Sequence, residues 1–356
     1  MKHIVSSAAE TQTAKPKERN KEMKIDCSIS PDLTKVKGDI SRLQALGYDG
    51  ARVAELTHDP FLPLTLAAEY SDDIDLMTSV AVAFARNPMS MAHLAHDLNA
   101  FSKGRFILGL GTQVQPHVVK RFGMPWYKAP RQMREFINAM HAIFDCWYEG
   151  EDLDFEGEYY RHTLMPKTFQ PTNTEHGRPK IYLSATGPLM TKVAAETADG
   201  LIMHPFSTEK YIREVNLPAI AEGRKKAEVA PEDFEIDYAP MIATGQNAEA
   251  LEKSIAQVKD RIAFYGSTPG YRMVLELHGW GELQGDLNRL MREHRTAEMA
   301  ALIDDEILHT FAIVGEPDKI APEFKRRYGD LIDRTAFLAT GLPTAMTQAV
   351  IAELTS

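Results

Sequence analysis

Residues 180–204 read KIYLSATGPLMTKVAAETADGLIMH, and their order decides the fold class. Lys180–Ser184 is a short apolar run suited to a strand, Leu189–Thr197 spaces its apolar residues as a helix does, and Gly200–His204 is a second strand-like run. A helix between two strands carries the chain back to the same edge, so the strands pair in parallel. Outward from this unit the pattern repeats. Strand-like Lys24–Ile29, Gly50–Ala54, Ile74–Phe84 and Arg105–Leu110 alternate with helical Leu33–Leu46, closed by Gly47, then Leu62–Tyr70 and Met89–Phe101. A long helix over Arg131–Trp147 and a polar, aromatic, hairpin-like stretch over Leu153–His162 precede the opening unit. Phe234–Thr244 and Thr335–Ala339 bring the strands to eight, the number that closes a (β/α)8 TIM barrel. A doubly wound open sheet is the alternative. Gly270–Asp305, rich in Met and charge, reads as a helical insertion before the last βα unit, suited to a lid, an oligomer contact or extra packing. No linker or repeat divides the chain, so residues 23–356 are expected to form one domain behind a polar tail over 1–22.

Composition narrows the function classes. With 44% hydrophobic and 25% charged residues the chain has a globular make-up. A net charge of -10, without a dense basic stretch, argues against a nucleic-acid partner, whose affinity comes from cations on phosphates. Cys27 and Cys146 have no CxxC spacing and form neither a disulfide framework nor a zinc ribbon. No apolar run is long enough for a bilayer and none at the start suits a signal peptide. The expectation is a cytoplasmic protein with small-molecule partners, assembled as a homodimer.

Three groups of residues carry candidate chemistry. Gly109-Leu110-Gly111-Thr112-Gln113-Val114 ends the fourth strand, where its glycines either let backbone approach a ligand or serve only a tight turn. It lacks the third glycine of a dinucleotide fingerprint. Ser184-Ala185-Thr186-Gly187-Pro188 leads from a strand into a helix, so its free amides form an anion site or merely start that helix. His58 follows the second strand, at the barrel end where catalytic groups collect. His93 and His96 with Asp97 have metal-ligand spacing on a helix, but such a trio more often forms a solvated face, and no metal is expected.

The segments Gly50–Leu64, Thr78–Pro88, Gly104–Pro125 and Leu183–Pro205 resemble the luciferase-like family of flavin and deazaflavin oxidoreductases. Ala83-Phe84-Ala85-Arg86-Asn87-Pro88, Arg121-Phe122-Gly123-Met124-Pro125-Trp126 and Leu275-Glu276-Leu277-His278-Gly279-Trp280 are similar to its subgroup dependent on coenzyme F420. The resemblance implies a barrel holding a tricyclic ring over the C-terminal strand ends, with hydride passing between ring and a small organic substrate. F420 is the implied cofactor. An FMN-dependent monooxygenase using O₂ is the alternative, and a non-catalytic flavin-binding protein a third reading. Thr78, Ser79 and Val80 match the position where many relatives have a non-proline cis bond against the ring. Gly111, Thr112 and Gln113, with Ser184, Ala185, Thr186 and Gly187, are implied to hold the ribityl chain and phosphate. Two departures stand out. Many relatives follow an acidic residue directly with histidine after the second strand, whereas Glu55 here precedes Leu56, and Val114 stands where some carry a glutamate. His58 is therefore expected to exchange the proton, oriented by Glu55 or Asp59, with His204 as a second candidate in the substrate pocket.

Overall fold

The computed structural model describes residues 22–230, 233–338 and 341–356, so the expected tail lies outside the described residues but for position 22. Eight strands form the barrel: β1 (Lys24–Ser28), β2 (Gly50–Val53), β3 (Asp75–Thr78), β4 (Phe106–Gly111), β5 (Lys180–Ala185), β6 (Gly200–Met203), β7 (Glu235–Tyr238) and β8 (Arg334–Ala336). All pair in parallel in the order β3-β2-β1-β8-β7-β6-β5-β4, and β4 returns to β3 through Leu76 opposite Phe106. The ring is closed, which removes the open-sheet alternative. Every residue of β2, β4 and β6 is buried, as strands covered on both faces must be.

The helices begin and end where their sequences dictate. Helix α1 (Val36–Leu46) stops at Gly47, whose φ of +83° turns its N–H back to the carbonyls of Leu43 and Gln44. Helix α2 (Phe61–Tyr70) follows β2, and α3 (Pro88–Phe101) starts under Asn87, whose side chain accepts from the Ser90 amide. Helix α4 (Ala129–Phe144) lays Met133, Phe136, Ile137 and Met140 against the barrel. Helix α5 (Pro188–Thr197) packs on β5 and β6, α6 (Leu217–Ala227) packs on α5, and α7 (Ala248–Gly266), α8 (Pro317–Tyr328) and α9 (Thr344–Thr355) complete the set used below. Among the described residues no helix is long and apolar enough to cross a membrane.

Two expected strands are interrupted. Phe234–Thr244 divides: β7 stays in the barrel, while Met241–Ala243 leaves it to pair with Ala312–Val314. Pro240, which has no N–H to give a ladder, stands at the break. In Ile74–Phe84, β3 ends at Thr78, the Ser79–Val80 peptide is cis, and Ala81–Val82 then pairs with Leu110–Gly111. The insertion is helical across 270–305 as expected, but it is more than padding on the barrel. With α7 and the helix Asp305–Phe311 it builds a second hydrophobic core around Phe206, Ile262, Leu275, Leu287 and Phe311.

The barrel interior holds charge as well as apolar side chains. Arg52 Nε meets Asp26 at 2.6 Å and its two terminal nitrogens meet Asp237 at 2.8 Å each. Arg334 bridges Asp26 and Asp75, and Lys24 reaches Asp75 at 2.6 Å. Gly50 makes room for this layer, because a Cβ there would lie 2.2 Å from Asp26 Oδ1. Removing one partner of such a buried set costs about 3–5 kcal/mol through the charge left alone.

Candidate active site

The C-terminal ends of β2 to β7 surround a cavity of about 360 Å³, within the roughly 300–1,000 Å³ usual for small-molecule sites. Arg52 and Asp237 belong to its lining, so the interior ion network continues to its surface. Of the residues expected from the sequence, Glu55, Ser79, Val80, Gln113, Ser184 and His204 meet around this one space. Thr78, Gly111 and Thr112 support it from behind. Thr78 Oγ1 donates to the Gly109 carbonyl at 2.8 Å, and Thr112 Oγ1 donates to the Gln113 carbonyl at 2.8 Å.

The glycines of β4 serve the neighbouring strand. A Cβ at Gly109 would stand 1.9 Å from the Thr78 carbonyl oxygen, and one at Gly111 would stand 2.6 Å from Val80 Cγ2. They let β3 and the Ser79–Val80 turn press close and thereby set Val80 beside the cavity. Gln113 adopts a φ of +60° and its Oε1 accepts from the Val114 amide.

On the β2 side, Glu55 is buried and its Oε2 accepts from the Val82 amide at 2.8 Å and from Arg86 at 2.7 Å. Arg86 also binds Asp59 at 2.8 Å. Both carboxylates therefore engage Arg86 rather than His58. His58 itself is exposed, two residues beyond Leu56, which lines the cavity. Arg121 donates to the Leu56 carbonyl at 2.5 Å, so the 121–126 motif pins the loop that carries His58.

His204 follows β6 and lines the cavity. The Phe206 amide donates to its Nδ1 at 3.0 Å, which leaves the proton of the neutral ring on Nε2. Tyr265 and Tyr271 lie against it with ring centroids at 4.7 and 4.4 Å. Burial pushes its pKa down to about 4, so the ring stays neutral at physiological pH.

Ser184 reaches the cavity, and Ala185, Thr186 and Gly187 continue from it into α5. Gly187 caps α5 without a side-chain bond, and Pro188 follows with no N–H. The amides of Leu189 and Met190 then have no helical carbonyl to meet and carry the positive end of the helix dipole. Tyr211 Oη and Asn216 Nδ2 hold the Thr186 carbonyl at 3.2 and 3.4 Å, fixing the turn. Strand ends, hydroxyls and free amides of this kind fit a flat polar ring with an anionic tail.

Arg52, Arg86, Asp237 and Tyr265 belong to the site and were not singled out from the sequence. A signal existed for two of them, since Arg52 and Asp237 are charges inside apolar strand runs, where charge is rare unless paired. His96 is buried, not solvated: it bonds Tyr148 Oη at 2.7 Å and Asn173 at 3.1 Å, while His93 packs on Trp147. Among the described residues no group of three or more His, Cys, Asp or Glu could hold a metal ion.

Residues 7–334 match the family model described as luciferase-like monooxygenase. An uncharacterized protein of Mycobacterium tuberculosis is 44% identical over 312 residues, covering 88% of this chain and 92% of that protein. A 5,10-methylenetetrahydromethanopterin reductase of Methanolobus tindarius is 28% identical over 291 residues, covering 81% of this chain and 83% of the reductase. Among solved structures, the coenzyme F420 dependent tetrahydromethanopterin reductase from Methanopyrus kandleri superposes with a TM-score of 0.74 at 21% identity, over 93% of this chain and 97% of that one.

Proposed function

Because the chain belongs to the luciferase-like monooxygenase family, we propose that it is an oxidoreductase moving a hydride between coenzyme F420 and a small organic substrate at the barrel mouth. The observation that carries this reading is the single cavity in which Glu55, Ser79, Val80, Gln113, Ser184 and His204 converge. The cofactor, when bound, supplies the hydride chemistry. Val80 and Gln113 would flank the ring, and Ser184–Gly187 with Gly111 and Thr112 would receive the ribityl chain and phosphate, the α5 amides attracting the anion. His204, held neutral, offers an Nε2–H bond of fixed direction to a substrate oxygen. His58 on the solvent side of the loop exchanges the accompanying proton with water, and Glu55 keeps Arg86 and that loop in place. The relatives that are reductases, one of them named as F420-dependent, support the cofactor choice.

A second reading, FMN with O₂, is favoured by the family description as a monooxygenase. An oxygen electrode separates the two. The proposal expects no oxygen uptake when the protein is mixed with reduced F420, and none above the free-cofactor rate with reduced FMN. Rapid protein-dependent oxygen uptake with reduced FMN would replace the hydride transferase with a monooxygenase.

A further inference from the structure

The barrel-mouth cavity shares Pro205 and Ala239 with a second cavity of about 510 Å³, which lies between α7 and the ends of β1 and β8. One face of α7 runs past both. Lys253, Gln257, Arg261 and Tyr265 recur every fourth residue and therefore stack on one side of the helix. Tyr265 lines the mouth beside His204, and the other three line the second cavity. At about 1.5 Å of rise per residue, Arg261 stands roughly 6 Å and Lys253 roughly 18 Å from Tyr265 along the axis.

The charge lining this cavity is unbalanced. Among the described residues no Asp or Glu lines the second cavity, and neither Lys253 nor Arg261 forms an ion pair or side-chain hydrogen bond. Several other cations are paired: Lys259 on another face of α7 meets Asp305 at 3.0 Å, and Arg272, Arg295 and Arg326 each hold a glutamate. In a chain of net charge -10, two unpaired cations in a concave cleft beside the mouth form a local positive field that concentrates anions. Gln257 and the Ser254 hydroxyl add neutral donors to the same wall.

We propose that this cleft receives the anionic end, a carboxylate or phosphate, of an elongated substrate whose reacting carbon lies in the mouth near His204 and Tyr265. The proposal rests on the functional reading above and adds to it a substrate class. The same chemistry could come from the cofactor's own phosphate, and the test separates the two sources.

Isothermal titration of the full chain with pyrophosphate at low ionic strength provides the measurement, with K253Q/R261Q and, as a control of equal charge change at the start of α4, K128Q/R131Q. Saturable binding is expected, weakened at least tenfold in K253Q/R261Q, unchanged in the control, and retained when the protein is first saturated with F420. No saturable binding, or equal weakening in both variants, would reduce the cleft to a solvated face. Loss, on F420 saturation, of the same pyrophosphate binding that K253Q/R261Q weakens would assign the cleft to the cofactor and overturn the substrate class. If the protein takes up no F420 the functional reading falls, while the cofactor-free titration still decides whether the cleft is an anion site.

Discussion

His204 shows how one residue's surroundings set its chemistry. Burial beside Tyr265 and Tyr271 takes its pKa from 6.5 down to about 4. The unfolded chain then holds the extra proton between those values, so the stability from the neutral ring is complete above about pH 6.5 and is lost as pH falls toward 4. The span corresponds to at most about 3 kcal/mol. His204→Asn keeps an oxygen to accept from the Phe206 amide and removes the titration. In urea unfolding at pH 7 and pH 4.5, the wild type is expected to lose about 1–3 kcal/mol more than the variant on acidification. Parallel losses would show that His204 is not the linked group. Its place at the end of a strand run made it legible from the sequence as a pocket residue. Its neutral state was not legible, because the rings that bury it come from α7 and the insertion. The same holds for Glu55: the sequence offers it as a partner for His58, whereas Arg86, brought in beyond the third strand, binds it instead.

At the scale of elements, the strand-to-helix turn at α5 is the proposed place of the cofactor phosphate. A Cβ at Gly187 would meet only Met273, at 3.5 Å, an ordinary contact. Gly187→Ala should therefore leave F420 affinity within about twofold, whereas Gly187→Asp sets a carboxylate beside the phosphate and should weaken binding by about 2 kcal/mol. A deazaflavin fragment without the phosphate should lose much less. If fragment and intact cofactor lose affinity equally, Ser184–Pro188 only starts a helix. The barrel strands were legible where they are short apolar runs bounded by turn residues, as in β4, whose six residues are all buried. The division of 234–244 was not. Local pattern sees one apolar run, but the partner of Met241–Ala243 is Ala312–Val314, remote in sequence and joined to it only by the insertion's own core.

The whole molecule is a closed barrel with a second core leaning on the edge of its active mouth. Phe206 and Tyr211, which follow β6, belong to that second core, and Tyr265 from α7 and Tyr271 from the inserted segment stand against His204. The insertion thus backs the wall of the site through Tyr271, which stands against His204. The central claim is that this wall and the strand ends opposite it form a deazaflavin site. Paired fluorescence titrations of the purified chain with F420 and with FMN, under identical buffer and salt, test it most directly. The account predicts saturable F420 binding at least tenfold tighter than FMN, and equal or tighter FMN binding would contradict it.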